Sequence, residues 1–183
     1  SIGMAKNIKD IADQYAKAIF ELASEQDQLD DVLHDLETIQ KLITEIPSFV
    51  TVVTASDLAI TDRDQLLQTL TKGAAESIQN LIQLLARNDR FDILSMVIDQ
   101  FVSHYKEVKG IVDVKVTTAV ALDDQRLDKL ANVFAAKTGA KQVNIENVVD
   151  NSILGGVILQ SQSILIDGSL QTKIAKMKAQ LLG

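Results

Sequence analysis

Lys109-Gly110-Ile111-Val112-Asp113-Val114-Lys115-Val116-Thr117 is where the chain changes its period. From here Val112, Val114, Val116 and, further on, Val120 fall on one side of an extended segment, opposite Asp113, Lys115 and Thr117, because strand side chains alternate every two residues. Before Gly110 the apolar residues recur at helical spacing instead. Glycine follows the same divide: none lies between Met4 and Lys72, the only proline is Pro47, and six of the eight glycines stand from Gly110 onward. The reading is α plus α/β, with an N-terminal six-helix bundle over residues 4–108 and a small C-terminal α/β domain over residues 109–183.

Upstream, the spacing predicts a first helix over about Ile8–Glu25 and a second over about Leu29–Ile46, with Val32, Leu36, Ile39 and Ile43 on one face and Pro47 closing it. A short helix covers Phe49–Thr54. The next runs Asp62–Lys72, with Thr61 and Asp64 as a cap pair and Gly73 as its stop. Ala75–Arg87 and Asp92–Glu107 follow, parted by the polar turn Asn88-Asp89-Arg90. Downstream, a helix over Asp124–Lys137 carries Leu127, Leu130, Ala131 and Phe134 and ends at Gly139. Val143–Val149 is a second strand, and Gly156–Leu159 pairs with Ser163–Ile166 as a hairpin across Gln160-Ser161-Gln162. Ser169 caps a last helix with Leu170, Ile174, Met177 and Leu181 along one side.

The 183 residues suit one domain or two small ones and are enough to bury a core. Apolar residues at 46% and charged residues at 23% are ordinary for a globular protein. No run approaches the ~20 apolar residues of a membrane-spanning helix. The absence of cysteine removes disulfides, thiol nucleophiles and thiolate metal sites, and fits a reducing compartment. Ser1-Ile2-Gly3 ahead of Met4 reads as an added tail, and nothing after it has the pattern of a signal peptide. The net charge of −7 is uneven. Through Val108 there are nine Lys and Arg against eighteen Asp and Glu, a net of −9, and from Lys109 nine against seven, a net of +2. The acidic part repels phosphate backbones, and aromatic residues at 4% with no tryptophan supply few stacking platforms, so nucleic acid is not an expected partner.

Residue types that carry catalysis do not assemble in the sequence. His34 and His104 each stand on a predicted helix with no second histidine at ligand spacing, and read as surface or packed residues. Gly155-Gly156 lacks the third glycine and following helix of a dinucleotide site, and reads as a bulge or close-packing point. Asp30-Asp31 and Asp123-Asp124 open helices, where carboxylates complement the dipole. No catalytic residue, cofactor or metal is expected. Lys173, Lys176 and Lys178 make the last fifteen residues basic; this is either a solvated helix end or a contact for an acidic partner or headgroup.

Helix one has more apolar surface than one core contact needs. Ile8, Ile11, Ala12, Tyr15, Ala16, Ala18, Ile19, Phe20, Leu22 and Ala23 span roughly 200° of arc, against the ~100° of a core-facing stripe. The surplus lies at one of two edges, Ile11, Tyr15, Ala18 and Leu22 or Ala16 and Phe20. In helix five, Ile78, Leu81, Ile82 and Leu85 form a compact stripe, and Leu84 stands roughly 60° or more outside it beside Ser77 and Asn80. Two such helices can form a groove for a partner's amphipathic helix, or can be covered by other helices of the bundle. Pattern alone leaves both open.

Tyr15-Ala16-Lys17-Ala18-Ile19-Phe20-Glu21-Leu22-Ala23, Asn80 to Arg90, Val149-Asp150-Asn151-Ser152-Ile153-Leu154-Gly155-Gly156-Val157 and Ile166-Asp167-Gly168-Ser169 resemble, in this order, the delta subunit of F-type ATP synthase, the family of the oligomycin sensitivity-conferring protein. The resemblance covers essentially the whole chain. Its most specific part is Gly155, Gly156, Asp167 and Gly168 in their settings. Asn151 stands where the family commonly has proline, and Gln160-Ser161-Gln162 lacks the family's basic residue and glycine.

The resemblance implies a noncatalytic stator subunit that joins the alpha3beta3 head to the peripheral stalk, so that proton-driven rotation is coupled to ATP synthesis. It further implies that a groove between helices one and five, with Tyr15, Ala18, Leu22, Asn80 and Leu84, binds the N-terminal segments of the alpha subunits. The C-terminal part would attach stalk subunit b; Lys173, Lys176 and Met177 are the expected contacts, chosen from the charge switch. One copy per complex, monomeric when alone, is expected at the cytoplasmic side of a bacterial inner membrane, held there indirectly, since no transit peptide precedes the match. Two other classes remain: a generic helical adaptor, and a small α/β enzyme with an unrecognised cofactor, which a ligand-induced rise in melting temperature would reveal.

Overall fold

Six α-helices precede the first strand: α1 (Met4–Glu25), α2 (Leu29–Glu45), α3 (Ser48–Val53), α4 (Ile60–Leu70), α5 (Glu76–Arg87) and α6 (Leu94–Lys109). They are followed by β1 (Ile111–Thr118), α7 (Asp124–Thr138), β2 (Gln142–Val149) and β3 (Val157–Gln160). This computed structural model describes residues 4–153 and 155–161. The chain divides into two units inside α6, between Tyr105 and Lys106.

The core of the first unit is built from helical rows one turn apart. Ala12, Ala16, Ile19 and Ala23 of α1 meet Val32, Leu36, Ile39 and Ile43 of α2 and Ile78, Leu81, Ile82 and Leu85 of α5 in one buried cluster. The three alanines carry no bulk beyond Cβ, so α1 can lie close to its neighbours. Leu94, Val97, Ile98 and Phe101 of α6 complete the cluster. Each large side chain buried this way is worth about 1.5–3 kcal/mol relative to exposure.

Two helix starts differ from the sequence expectation. α4 begins at Ile60 with Ala59 at its cap and no side-chain cap bond, so Thr61 and Asp64 do not form the expected pair. Arg63 N donates to Ala59 O at 2.9 Å, which starts the helix two residues earlier and places Thr61 inside it. The helix expected from Asp92 is entered through a 3₁₀ turn at Phe91–Ile93, because Phe91 is drawn into the core there. Asp89 in the preceding turn has φ +56°, a left-handed conformation that Asp tolerates better than most residues.

The second unit has a sheet of order β2-β1-β3. β1 and β2 pair in parallel from Ile111↔Gln142 to Thr118↔Val149, and such a pair needs a crossover, which α7 supplies. β3 runs antiparallel to β1, from Lys115↔Gln160 to Thr118↔Val157. Asp123 Oδ1 caps α7 by accepting from Arg126 N at 2.8 Å. Gly139 ends it in the left-handed region, with its N–H on Ala135 O. Among the described residues, Val114, Val116 and Leu159 of the sheet are buried against Leu130 and Phe134 of α7.

Val120, expected on the buried face of β1, is instead 76% exposed. The strand stops at Thr118, which is itself buried. Thr118 Oγ1 donates to Val120 O at 2.7 Å and accepts from Asn147 Nδ2 at 3.0 Å, turning the chain away from the sheet. On the other face of β1, Asp113 accepts from Lys106 Nζ and from Asn144 Nδ2. Burial alone would raise the pKa of Asp113, but these two donors outweigh it and hold the carboxyl below its ordinary value. Gly155 and Gly156, at φ +85° and +91°, lead into β3 through a conformation that side-chain-bearing residues adopt only under strain. The second half of the expected hairpin, Ser163–Ile166, and the helix expected after Ser169 lie outside the described residues.

Candidate partner-binding groove

At 100° per residue, Ile8, Ile11, Tyr15, Ala18 and Leu22 form one row on α1, roughly 90° around from the buried row of Ala12, Ala16, Ile19 and Ala23. The structure decides between the two surplus edges. Ala16 is fully buried, and Phe20 is covered by α6, its ring centroid 5.5 Å from that of Phe101 and 6.1 Å from that of His104. The other edge is open: Ile8 is 46% exposed, Leu22 39%, and Ala18 is exposed between them.

On α5 the stripe Ile78, Leu81, Ile82 and Leu85 is buried, whereas Leu84 is 45% exposed and Asn80 is exposed. Asn80, Leu84 and Asn88 stand four residues apart and so share one side of the helix and its C-terminal turn. Asn88 Nδ2 donates to Tyr15 Oη at 3.0 Å, and Arg90 Nη1 reaches the same oxygen at 3.4 Å. Tyr15 therefore ties the open row of α1 to the side of α5 that carries Leu84. The five residues expected to line a groove divide accordingly: Tyr15 is half-buried as the link, and Ala18 and Leu22 of α1 and Asn80 and Leu84 of α5 are exposed. Sequence reasoning missed Asn88 and Arg90 as partners of Tyr15, since nothing in a polar turn announces a contact with a helix more than seventy residues earlier. Replacing Tyr15 with Phe removes both bonds and is expected to cost about 1 kcal/mol in chemical denaturation.

The opposite side of α1 is an electrostatic seam. Asp13 Oδ1 lies 2.7 Å from His104 Nε2 on α6, and Asp13 Oδ2 lies 3.1 Å from Lys17 Nζ. Burial would raise the pKa of Asp13, but His104 and Lys17 outweigh it and the carboxyl is held below its ordinary value. The fold thus favours the carboxylate. Its contribution is present above the ordinary aspartate range and is lost as pH falls through the lowered value. Asp13→Asn is expected to flatten the acid limb of a stability-versus-pH curve in that window, as read by urea midpoints; an unchanged limb would assign the acid sensitivity elsewhere.

His34 is exposed on α2. Among the described residues no group of three or more His, Asp or Glu could hold a metal ion. Lys173, Lys176, Met177, Asp167 and Gly168 lie outside the described residues.

The family model described as "ATP synthase delta (OSCP) subunit" matches residues 11–181. The ATP synthase subunit delta of Leuconostoc mesenteroides is 70% identical over 180 residues, covering 98% of this chain and 100% of the relative. That of Leuconostoc citreum is 62% identical over the same shares, and that of Lacticaseibacillus casei is 37% identical over 98% of this chain and 99% of its own. A chain in the solved Toxoplasma gondii mitochondrial ATP synthase hexamer shares the fold, with a TM-score of 0.67 at 21% identity over 94% of this chain and 97% of that one. With a family model over residues 11–181 and a relative 70% identical along its whole length, the chain belongs to the ATP synthase delta (OSCP) subunit family, the noncatalytic stator subunits that serve the enzyme's peripheral stalk.

Proposed function

We propose that the groove between α1 and α5 receives the N-terminal helical segment of an ATP synthase alpha subunit, and that this contact fixes the catalytic head to the peripheral stalk. The observation that carries the reading is the open apolar row of Ile8, Ala18 and Leu22 on α1, tied by the Tyr15–Asn88 bond to the side of α5 on which Leu84 is exposed. A helix laid into such a groove is recognised by apolar residues at i, i+3, i+4 and i+7. Ala18 gives the guest backbone room to come close. Rotor torque has to be resisted by a static link, or the head would turn with the rotor, and a rigid helical bundle suits that task.

Residues 109–183 are assigned to stalk subunit b, with Lys173, Lys176 and Met177 as contacts. One copy serves each complex. The subunit sits peripherally at the cytoplasmic side of a bacterial inner membrane, held by its partners. The relatives' bacterial origin supports a bacterial complex, and among the described residues no helix is long and apolar enough to cross a membrane. Gel filtration with purified head complexes tests the reading. Co-elution with intact heads and none with heads trimmed of their alpha N-terminal segments is the expected result. Equal co-elution with both would overturn it and leave a generic adaptor or another head contact.

A further inference from the structure

We propose that the helix accepted by this groove carries a cationic flank, and that this flank lies over Glu21 and Glu25 of α1. The inference rests on the helix-in-groove reading and adds the charge pattern and rotational setting of the guest.

Around α1, Glu21 and Glu25 stand roughly 60–100° to the solvent side of the Ile8–Leu22 row, so they form the outer lip of the groove on that helix. Both are exposed. The lysine one turn before Glu21, Lys17, is engaged by Asp13 at 3.1 Å instead. Among the described residues neither glutamate is in an ion pair. They also occupy the last turns of α1, which contain no basic residue, where the negative end of the helix dipole makes a carboxylate unfavourable. A cation placed there would be attracted by both carboxylates and by the dipole.

The α5 lip is different. Beside Leu84 it presents Asn80 and, further out, both Glu76 and Arg87, all exposed, so its charges cancel. A guest with basic residues on one flank is therefore drawn to the α1 side, where Glu21 and Glu25 have no such counterion, and this sets its rotation about its own axis. The net charge of −9 through Val108 adds a longer-range attraction for a basic segment that speeds encounter and weakens with salt. An acidic guest meets repulsion at both scales.

The test uses the full chain and three fluorescein-labelled peptides with the apolar stripe of an alpha-subunit N-terminal segment and Lys, Gln or Glu along one flank. Fluorescence anisotropy in low and high salt reads the affinities. The Lys peptide should bind roughly tenfold tighter than the Glu peptide at low salt, the sum expected of two exposed ion pairs near their upper range. Salt should shrink that ratio, and so should the double variant Glu21→Gln/Glu25→Gln, whose surface changes leave the circular dichroism spectrum unaltered. Equal binding of all three peptides would overturn the charged flank and leave the groove standing. Binding of none, by a chain that is folded, would overturn the groove reading and this inference with it.

Discussion

Leu84→Asp is expected to abolish groove binding while leaving the bundle folded. Leu84 is nearly half exposed in the free chain, so a polar side chain there removes little from the core. In the proposed complex the same position would lie under the guest helix. Losing the burial of one leucine removes about 1.5–3 kcal/mol. Desolvating the new carboxylate adds a penalty of similar size or larger. Together these exceed the ~2.7 kcal/mol that corresponds to a hundredfold loss of affinity. The adjacent Leu85 provides the contrast, since it is fully buried in the cluster that joins α1, α2 and α5. Leu85→Ala should cost about 2–5 kcal/mol of stability. Denaturation midpoints and peptide titrations of both variants separate the two leucines. Global unfolding of Leu84→Asp would make Leu84 part of the core and remove it from the groove.

The second large effect lies in the other unit. Among the described residues, Phe134 of α7 is buried under the sheet with Val114, Val116, Leu130 and Leu159. Removing a buried phenylalanine costs about 3–5 kcal/mol. Phe134→Ala is therefore expected to collapse amide-exchange protection across β1, α7 and β2 while α1 to α5 keep theirs. Loss of protection in α1 to α5 to the same degree would show that the two units unfold as one.

The change of period at Gly110 was readable because strand and helix leave different spacings in the sequence, and Val114 and Val116 are buried as that spacing implies. What escaped the reading depended on residues distant in the chain. Val120 continues the alternation on paper, but Asn147 of β2 engages Thr118 and ends the strand first. Thr61 looks like a cap, yet the turn that sets Ala59 in place starts α4 ahead of it. The surplus edge of α1 could be chosen only once Phe20 was seen against Phe101, eighty-one residues later. Helix pattern thus found Leu84 as an outlier from its own stripe, whereas its alignment with Tyr15 came from the Asn88 bond.

Calorimetric titration of the intact chain with a synthetic peptide from the N terminus of the alpha subunit of the same organism bears most directly on the groove. Saturable binding near one peptide per chain, at micromolar affinity or better (about −8 kcal/mol or more favourable), and its loss in Leu84→Asp are the predicted results. Absence of heat and of binding up to high micromolar peptide, with the chain folded, would contradict the account and place the head contact on another surface.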